Sequence, residues 1–304
     1  MTDLIIIGAG TAGLTAAIYG IRAKLSVKII EKAFYGGQII SALSIENYPG
    51  MPGVSGADFA VALYNQAKSL GAEFLYEKIE SVSLSGDVKT IVTSKGTHQA
   101  KTVIIATGAK PKKLGVSGED KWIGRGVAFC ATCDAPLYKG KDVAVAGGGN
   151  VAIGDALILS ELCNSVTVIH RSSSFSSEPL QLEQVRAKSN VEFMTDTIIK
   201  EIYGDKKVEK LIVESKVSGE LTEIPVNGVF VAIGAEPDNA VFADEVHLDE
   251  KGYIIAGEDC RTNVPGVFAA GDTRTKTIRQ IVTAASDGSV SALEAKKYVT
   301  SLTV

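Results

Sequence analysis

The stretch DLIIIGAGTAG, residues 3 to 13, decides the fold. An uninterrupted apolar run ends in three glycines, Gly8, Gly10 and Gly13, and the helical pattern LTAAIYGIRAK follows at once. Glycines at this spacing allow a tight turn and let the backbone approach a pyrophosphate at the helix N-terminus. Alone the pattern is weak. Placed between a buried strand and a helix, with a second strand SVKIIE behind it, it is a strong dinucleotide-binding signal. The same grammar returns at DVAVAGGGNVA, residues 142 to 152, with Gly147, Gly149 and Ala152 in the three positions and SVTVIH as the following strand.

A second echo supports duplication. TVIIATGAKP (102 to 111) resembles GVFVAIGAEP (228 to 237), each a buried strand ending in a glycine turn and a proline. The expected fold is therefore α/β: two Rossmann-like nucleotide-binding domains of the three-layer ββα type, the second inserted in the first. The boundaries expected are 1–112 with 246–304 for the first and 115–243 for the second. Between the fingerprints, EFLYEKIESVSLSGDVKTIVTS reads as polar connecting β-structure.

Bulk properties agree with two soluble domains. The 304 residues are 45% apolar and 22% charged, and the net charge of -4 leaves no basic footprint for nucleic acid. Residues 4–21 superficially read as a membrane span, but their regular glycines and lack of a basic start favour a buried strand–turn–helix, so no membrane association is expected. Of four cysteines only Cys130 and Cys133 are close in sequence, and no second ligand pair stands ready to complete a structural zinc site; no metal is expected. With secretion unsupported, the cytoplasm is the default compartment. There a C-x-x-C more often does redox chemistry than structural work. Asp134 follows at once and could carry the proton of a leaving thiolate. His98, His170 and His247 are scattered, which argues against a Cys–His hydrolase. Cys163 and Cys260 read as ordinary core cysteines.

Which nucleotide each fold takes is read at the end of its second strand. In the first fold that residue is Glu31, where a carboxylate accepts hydrogen bonds from both ribose hydroxyls of an adenosine. In the second it is His170, opening the turn VIHRSSSFSSEP (168 to 179). No carboxylate stands there for a free 2′-hydroxyl. For a 2′-phosphate only Arg171 is on offer. A solvated turn explains these residues at least as well as a NADPH clamp.

The motifs GAGTAG, GGQ (36 to 38), IENYPG (45 to 50), ATGA (106 to 109), CATCD (130 to 134), and GVFAAGD with RQIVTAASDG (266 to 288) run in order along the chain. Together they resemble the low-molecular-weight thioredoxin reductases. That resemblance implies an FAD domain built from both chain ends, a central pyridine-nucleotide-type domain carrying a Cys130–Cys133 redox disulfide, and a homodimer. Carried over by motif, Gly8, Gly10 and Gly13 hold the FAD pyrophosphate and Glu31 its ribose. Gly37 and Gln38 lie along the FAD, Asn47 approaches the flavin, and Ala106, Thr107 and Gly108 belong to the same cradle. Gly271 and Asp272 hold the ribityl-phosphate side, with Arg279, Gln280 and Ile281 near the ring edge. The resemblance also implies that electrons pass from FAD to the disulfide, that Cys130 attacks thioredoxin, and that Asp134 is the acid or base. It implies a rotating inner domain, with hinges near Lys112–Gly115 and Ala243–Val246.

The departures cluster in the second fold. NADPH-using members carry arginines where this chain has Ser172 and Ser176, a hydroxyl residue at Val151 and an acid at Gly154. Charge-assisted hydrogen bonds to phosphate are worth roughly 1.5 to 3 kcal/mol each, so two lost arginines weaken NADPH binding by about two to four decades. The reading is a flavoprotein thioredoxin-disulfide reductase whose donor is reduced ferredoxin, as in the ferredoxin-dependent flavin branch of the family, with NADPH doubtful. Lys110, Lys112 and Lys113 could meet an acidic ferredoxin. Three alternatives stay open: an NADPH- or NADH-dependent thioredoxin reductase, an FAD-dependent dithiol oxidase, and a non-catalytic flavin-binding sensor.

Overall fold

The computed structural model describes residues 1–42 and 44–302. These divide into two compact units, Met1–Lys110 with the segment from Glu236 onward, and Pro111–Ala235 between them. The return to the first unit thus comes at Glu236, not at Val246. The reason is burial: Phe242 and Val246 pack into one core with Ile5, Ile7 and Ile254 of the first unit, so a hinge at Ala243–Val246 would have to bend inside that core. The expected first domain also takes in Leu43, Thr303 and Val304, which lie outside the described residues.

In the first unit the chain runs β1 (Thr2–Ile7), α1 (Thr11–Arg22), β2 (Val27–Glu31), α2 (Gly56–Ser69), β3 (Glu73–Tyr76), β4 (Ile79–Ser83), β5 (Lys89–Thr93) and β6 (Gly96–Ile105), leaving through β7 (Ala109–Pro111). The second unit holds α3 (Glu119–Trp122), β8 (Val127–Ala128), α4 (Ala131–Asp134), β9 (Asp142–Ala146), α5 (Asn150–Ser160), β10 (Ser165–Ile169), α6 (Pro179–Arg186) and β11 (Val191–Met194). The antiparallel strands β12 (Thr197–Gly204), β13 (Val208–Ser215) and β14 (Leu221–Pro225) follow, then β15 (Gly228–Val231). After β16 (Ala235–Pro237) the first unit closes with β17 (Val267–Ala269) and α7 (Ile281–Ser301).

β1 is buried on both faces, which is why its sequence is apolar without alternation. Leu4 and Ile6 pack toward α1 and α7, while Ile5 and Ile7 pack against Leu84 and Ile91 of the β-hairpin layer. Strands β3-β2-β1-β6 are parallel, and β6 is long enough to serve two partners on its far side. Its first half pairs antiparallel with β5 and its second half parallel with β17. The second unit repeats this as β11-β10-β9-β15-β8, all parallel, with the β12–β14 meander as its third layer. Val143 and Val145 face α5, and Ala144 and Ala146 face Ile199, Leu211 and Val213. β9 thus stands for β1, β15 for β6, and β8 for β17. In the first unit the fifth strand comes last along the chain; in the second it comes first.

Two of the three fingerprint glycines, Gly8 and Gly13, are required by contact. A Cβ on Gly13 would lie 1.9 Å from the Gly8 carbonyl oxygen, and one on Gly8, at φ 106°, would lie 2.4 Å from the Ala106 oxygen. Residues 4–21 are therefore β1, the turn and most of α1. Among the described residues no helix is long and apolar enough to cross a membrane.

The closing helix α7 is tied back by a buried charge cluster. Asp287, on α7, accepts from Arg274 Nε and Nη2 at 2.9 Å each, from Lys276 Nζ at 2.9 Å and from the Gly271 N–H at 2.9 Å. Burial by itself would raise the Asp287 carboxyl, but Arg274, Lys276 and the Gly271 N–H override it and hold the pKa below its ordinary value. A depressed carboxylate stabilises the fold above its ordinary pKa, and that contribution fades as pH falls through the lower folded value. Replacing Asp287 by Ala strands two buried cations, and urea unfolding at pH 7 is expected to show a loss of about 3–5 kcal/mol. The difference between the two proteins should shrink in strong acid; an Asp287→Ala protein as stable as the parent at pH 7 contradicts this account.

Candidate active site

The sequence-expected residues gather in two places, one in each unit. In the first unit they surround the β1–α1 turn. Glu31, at the end of β2, accepts from the Ala9 N–H at 2.9 Å and the Ala33 N–H at 3.0 Å, which sets its carboxylate beside the glycine turn. Gly36 donates to the Ala9 oxygen at 2.6 Å. A Cβ on Gly37, at φ 63°, would lie 3.3 Å from the Gly10 Cα, so the two glycine backbones flank one narrow space. Gln38 is exposed at the start of a short 3-10 turn, Gly37–Ser41. Asn47 Nδ2 donates to Gln280 Oε1 at 3.0 Å, joining the IENYPG loop to the cap of α7. Gln280 also makes a reciprocal cap with Thr283, which starts α7 at Ile281.

On the other flank the Ala106 N–H donates to the Ile7 oxygen, and Thr107 Oγ1 meets Asn239 Oδ1 at 3.0 Å and Thr273 Oγ1 at 2.8 Å. Gly108, at φ 70°, turns the chain outward. Gly271, at φ 80°, presents Asp272, whose Oδ1 is buried without a hydrogen-bond partner; burial raises its carboxyl pKa. Arg279 stacks its guanidinium 4.2 Å from the Tyr253 ring centre, and its buried Nε is likewise unpartnered. A glycine-lined slot, a carboxylate at the ribose position and two orphaned polar atoms at the far end fit an extended dinucleotide such as FAD. Asn239 and Asp287, which buttress this cradle from behind, were not singled out from the sequence. The only trace of Asp287 was its place in RQIVTAASDG.

In the second unit Cys130 and Cys133 form a disulfide, with Cα atoms 5.3 Å apart, across the single turn of α4. Cys130 caps this turn: its Sγ accepts the Cys133 N–H at 3.2 Å. Both sulfur-bearing residues are half-buried and Thr132 between them is exposed. Asp134 closes the turn, and burial raises its pKa. Burial, and after it the Asp134 charge, pushes the Tyr138 hydroxyl up to about 12.

The turn after β10 is not a loose solvated loop. The His170 ring stacks on Phe175 with centroids 5.0 Å apart, and Phe175 meets Phe193 edge-on. That ring lies over the second fingerprint, where a Cβ on Gly148 would come within 2.4 Å of it. The Ser176 N–H donates to the Gly148 oxygen at 2.9 Å, and the Glu178 N–H donates to Asn150 Oδ1 at 2.8 Å. Arg171 is exposed, and a second cation reaches it that sequence spacing did not reveal: Lys216 Nζ donates to the Arg171 carbonyl at 3.1 Å.

Residues 2–288 match the family of pyridine nucleotide-disulphide oxidoreductases. The chain belongs to that family. A thioredoxin reductase of Peptoclostridium acidaminophilum is 42% identical, over 98% of this chain and 96% of its own. The crystal structure of thioredoxin reductase from Streptococcus pyogenes superposes with a TM-score of 0.94 at 38% identity, covering 99% of each chain. A ferredoxin-flavin thioredoxin reductase from Clostridium acetobutylicum gives a TM-score of 0.54 at 33% identity, covering 99% of this chain and 98% of that one. This family member is a disulfide oxidoreductase of the thioredoxin reductase kind.

The four cysteines differ in a way labelling can read. Burial pushes the Cys163 thiol up to about 11 and the Cys260 thiol up to about 12, and neither can offer a thiolate near neutrality. After reduction, iodoacetamide at pH 7.5 should modify Cys130 and Cys133 in the native protein and all four cysteines in denaturant. Native labelling of Cys163 or Cys260 counts against the site as drawn.

Proposed function

We propose that this thioredoxin reductase takes its electrons from reduced ferredoxin through bound FAD and delivers them to thioredoxin by way of Cys130–Cys133. The observation that carries the disulfide half is the α4 turn itself. The Cys133 N–H aimed at Cys130 Sγ favours negative charge on that sulfur, so Cys130 is the attacking thiolate. It attacks the thioredoxin disulfide, forming a mixed disulfide and expelling one thioredoxin sulfur. Cys133 then closes the Cys130–Cys133 bond and expels the other. Asp134, whose pKa its burial raises, supplies a proton to a leaving sulfur. Gly8, Gly10, Gly13, Glu31, Asp272 and Arg279 would hold the FAD, which when bound supplies the two electrons that reopen the disulfide. By resemblance the working form is a homodimer.

What supports ferredoxin over NADPH is the turn after β10. Ser172 and Ser176 leave Arg171 as its one guanidinium, and the His170 ring and Ser176 are engaged with Gly148 of the second fingerprint. Lys216 favours a second reading, in which Arg171 and Lys216 together receive a 2′-phosphate.

The two are separated by anaerobic titration with NADPH, NADH or reduced ferredoxin, following flavin absorbance with oxidised thioredoxin present. Bleaching and thioredoxin reduction are expected with ferredoxin alone. Fast bleaching by micromolar NADPH returns the donor to the second reading. Arg171→Ala should then leave ferredoxin-driven turnover within about twofold, whereas an NADPH enzyme losing a charged phosphate contact would show KM rising roughly tenfold to a hundredfold. Asp272→Ala, which removes the unpartnered acceptor, should yield folded protein with a lower FAD content after gel filtration. Undiminished FAD in that variant argues against the assigned cradle.

A further inference from the structure

Asp155 is a buried acid for which the disulfide chemistry above has no use. It stands on α5, and the register of the two fingerprints places it where α1 has Ala16. Ala16 faces α7 across a close contact: a Cβ on Gly288 would lie 3.0 Å from the Ala16 nitrogen. In the second unit the element that follows the fifth strand is not α7 but α4, and α4 packs on α5. The face of α5 that carries Asp155 is thus turned to the disulfide helix. The residue is 8% exposed, its carboxyl accepts the Ala131 N–H, and its Oδ2 has no hydrogen-bond partner. Ala131 is the residue next to Cys130.

The surroundings do not neutralise it. On the elements packed against α5, the titratable groups are Cys133 and Asp134 of α4, Asp142 of β9, and Glu183 and Arg186 of α6; β10 brings none. Burial among Ala131, Ala152, Ala156 and Leu159 is what pushes Asp155 up, to about 7, restrained only by the Ala131 N–H.

We propose that Asp155 is a positioning residue for the dithiol: it pins the first turn of α4 through Ala131, and its charge governs how readily a thiolate forms on the reduced Cys130–Cys133 pair. This rests on the α4 disulfide being the reactive one. Reduction of that disulfide adds two electrons and two protons, giving two thiols. A thiol then becomes reactive by releasing its proton to solvent, and a negative Asp155 beside the turn opposes that release. Below pH 7 the carboxyl is neutral and does not interfere. Above it the carboxylate holds thiolate formation back.

The test is alkylation of the reduced, desalted holoprotein by iodoacetamide from pH 5.5 to 9, in which the thiolate displaces iodide and forms an S–C bond. The parent and Asp155→Asn proteins should react at equal rates at pH 6. At pH 8 the variant should be roughly threefold to tenfold faster, since one pKa unit is a factor of ten in thiolate fraction. The parent's own profile should flatten between about pH 7 and 8, and Asp155→Glu should restore the flattening. Parallel profiles for parent and Asp155→Asn overturn the proposal. If Asp155→Asn does not fold, the parent decides: a single thiol ionisation with no flattening near pH 7 overturns it equally. The measurement needs no electron donor and no thioredoxin. A protein that fails to reduce thioredoxin would refute the functional reading while leaving this profile intact.

Discussion

The architecture of the first unit depends on one backbone contact, the meeting of the first turn of α1 with α7. A Cβ on Gly288 would lie 2.3 Å from the Ala12 oxygen, and one on Gly271 would lie 2.9 Å from the Ala12 Cβ. Only glycine at both places lets the end of the chain settle against its beginning. Asp287, the neighbour of Gly288, then reaches the Gly271 N–H, and the Arg274 and Lys276 charges close over it. The candidate dinucleotide cradle follows from this docking. Glu31 and the fingerprint come from the N-terminal strands, while Asp272, Arg279 and Gln280 come from the C-terminal segment, and neither half makes a cradle by itself.

The second unit reuses that plan with one exchange. Its fifth strand, β8, precedes the fingerprint, so the element packed on the fingerprint helix is α4, not a long closing helix. The position that in one unit closes the candidate dinucleotide cradle therefore carries the Cys130–Cys133 disulfide in the other. At the register where α1 has the small, neutral Ala16, α5 has Asp155. A buried carboxyl facing an alanine-rich helix turn has only the Ala131 N–H to offset its desolvation.

The turn from His170 to Glu178 shows how the absence of a motif differs from the absence of structure. Lost arginines alone read as a relic left in solvent. The fold instead builds the turn around the His170, Phe175 and Phe193 rings and seats it on Gly148 and Asn150. The same fold brings Lys216, far along the chain, back to Arg171.

Much was legible in the sequence because it is local. Strand, glycine turn and helix are written within a dozen residues at each fingerprint, and the steric demand for Gly13 comes from Gly8 in the same short stretch, although that for Gly8 comes from distant Ala106. The C-x-x-C closes within one turn of helix, so its chemistry needs no tertiary partner to be guessed. Glu31 belongs to this class as well, its place set by strand length. The return of the chain at Glu236 was not legible, because it is fixed by Phe242 and Val246 entering a core shared with Ile5, Ile7 and Ile30 of the N-terminal strands. Asp287, Asn239, Lys216 and Asp155 are equally silent in sequence. Each is an ordinary polar residue until folding decides what it faces, and desolvation and charge pairing act only through such distant neighbours.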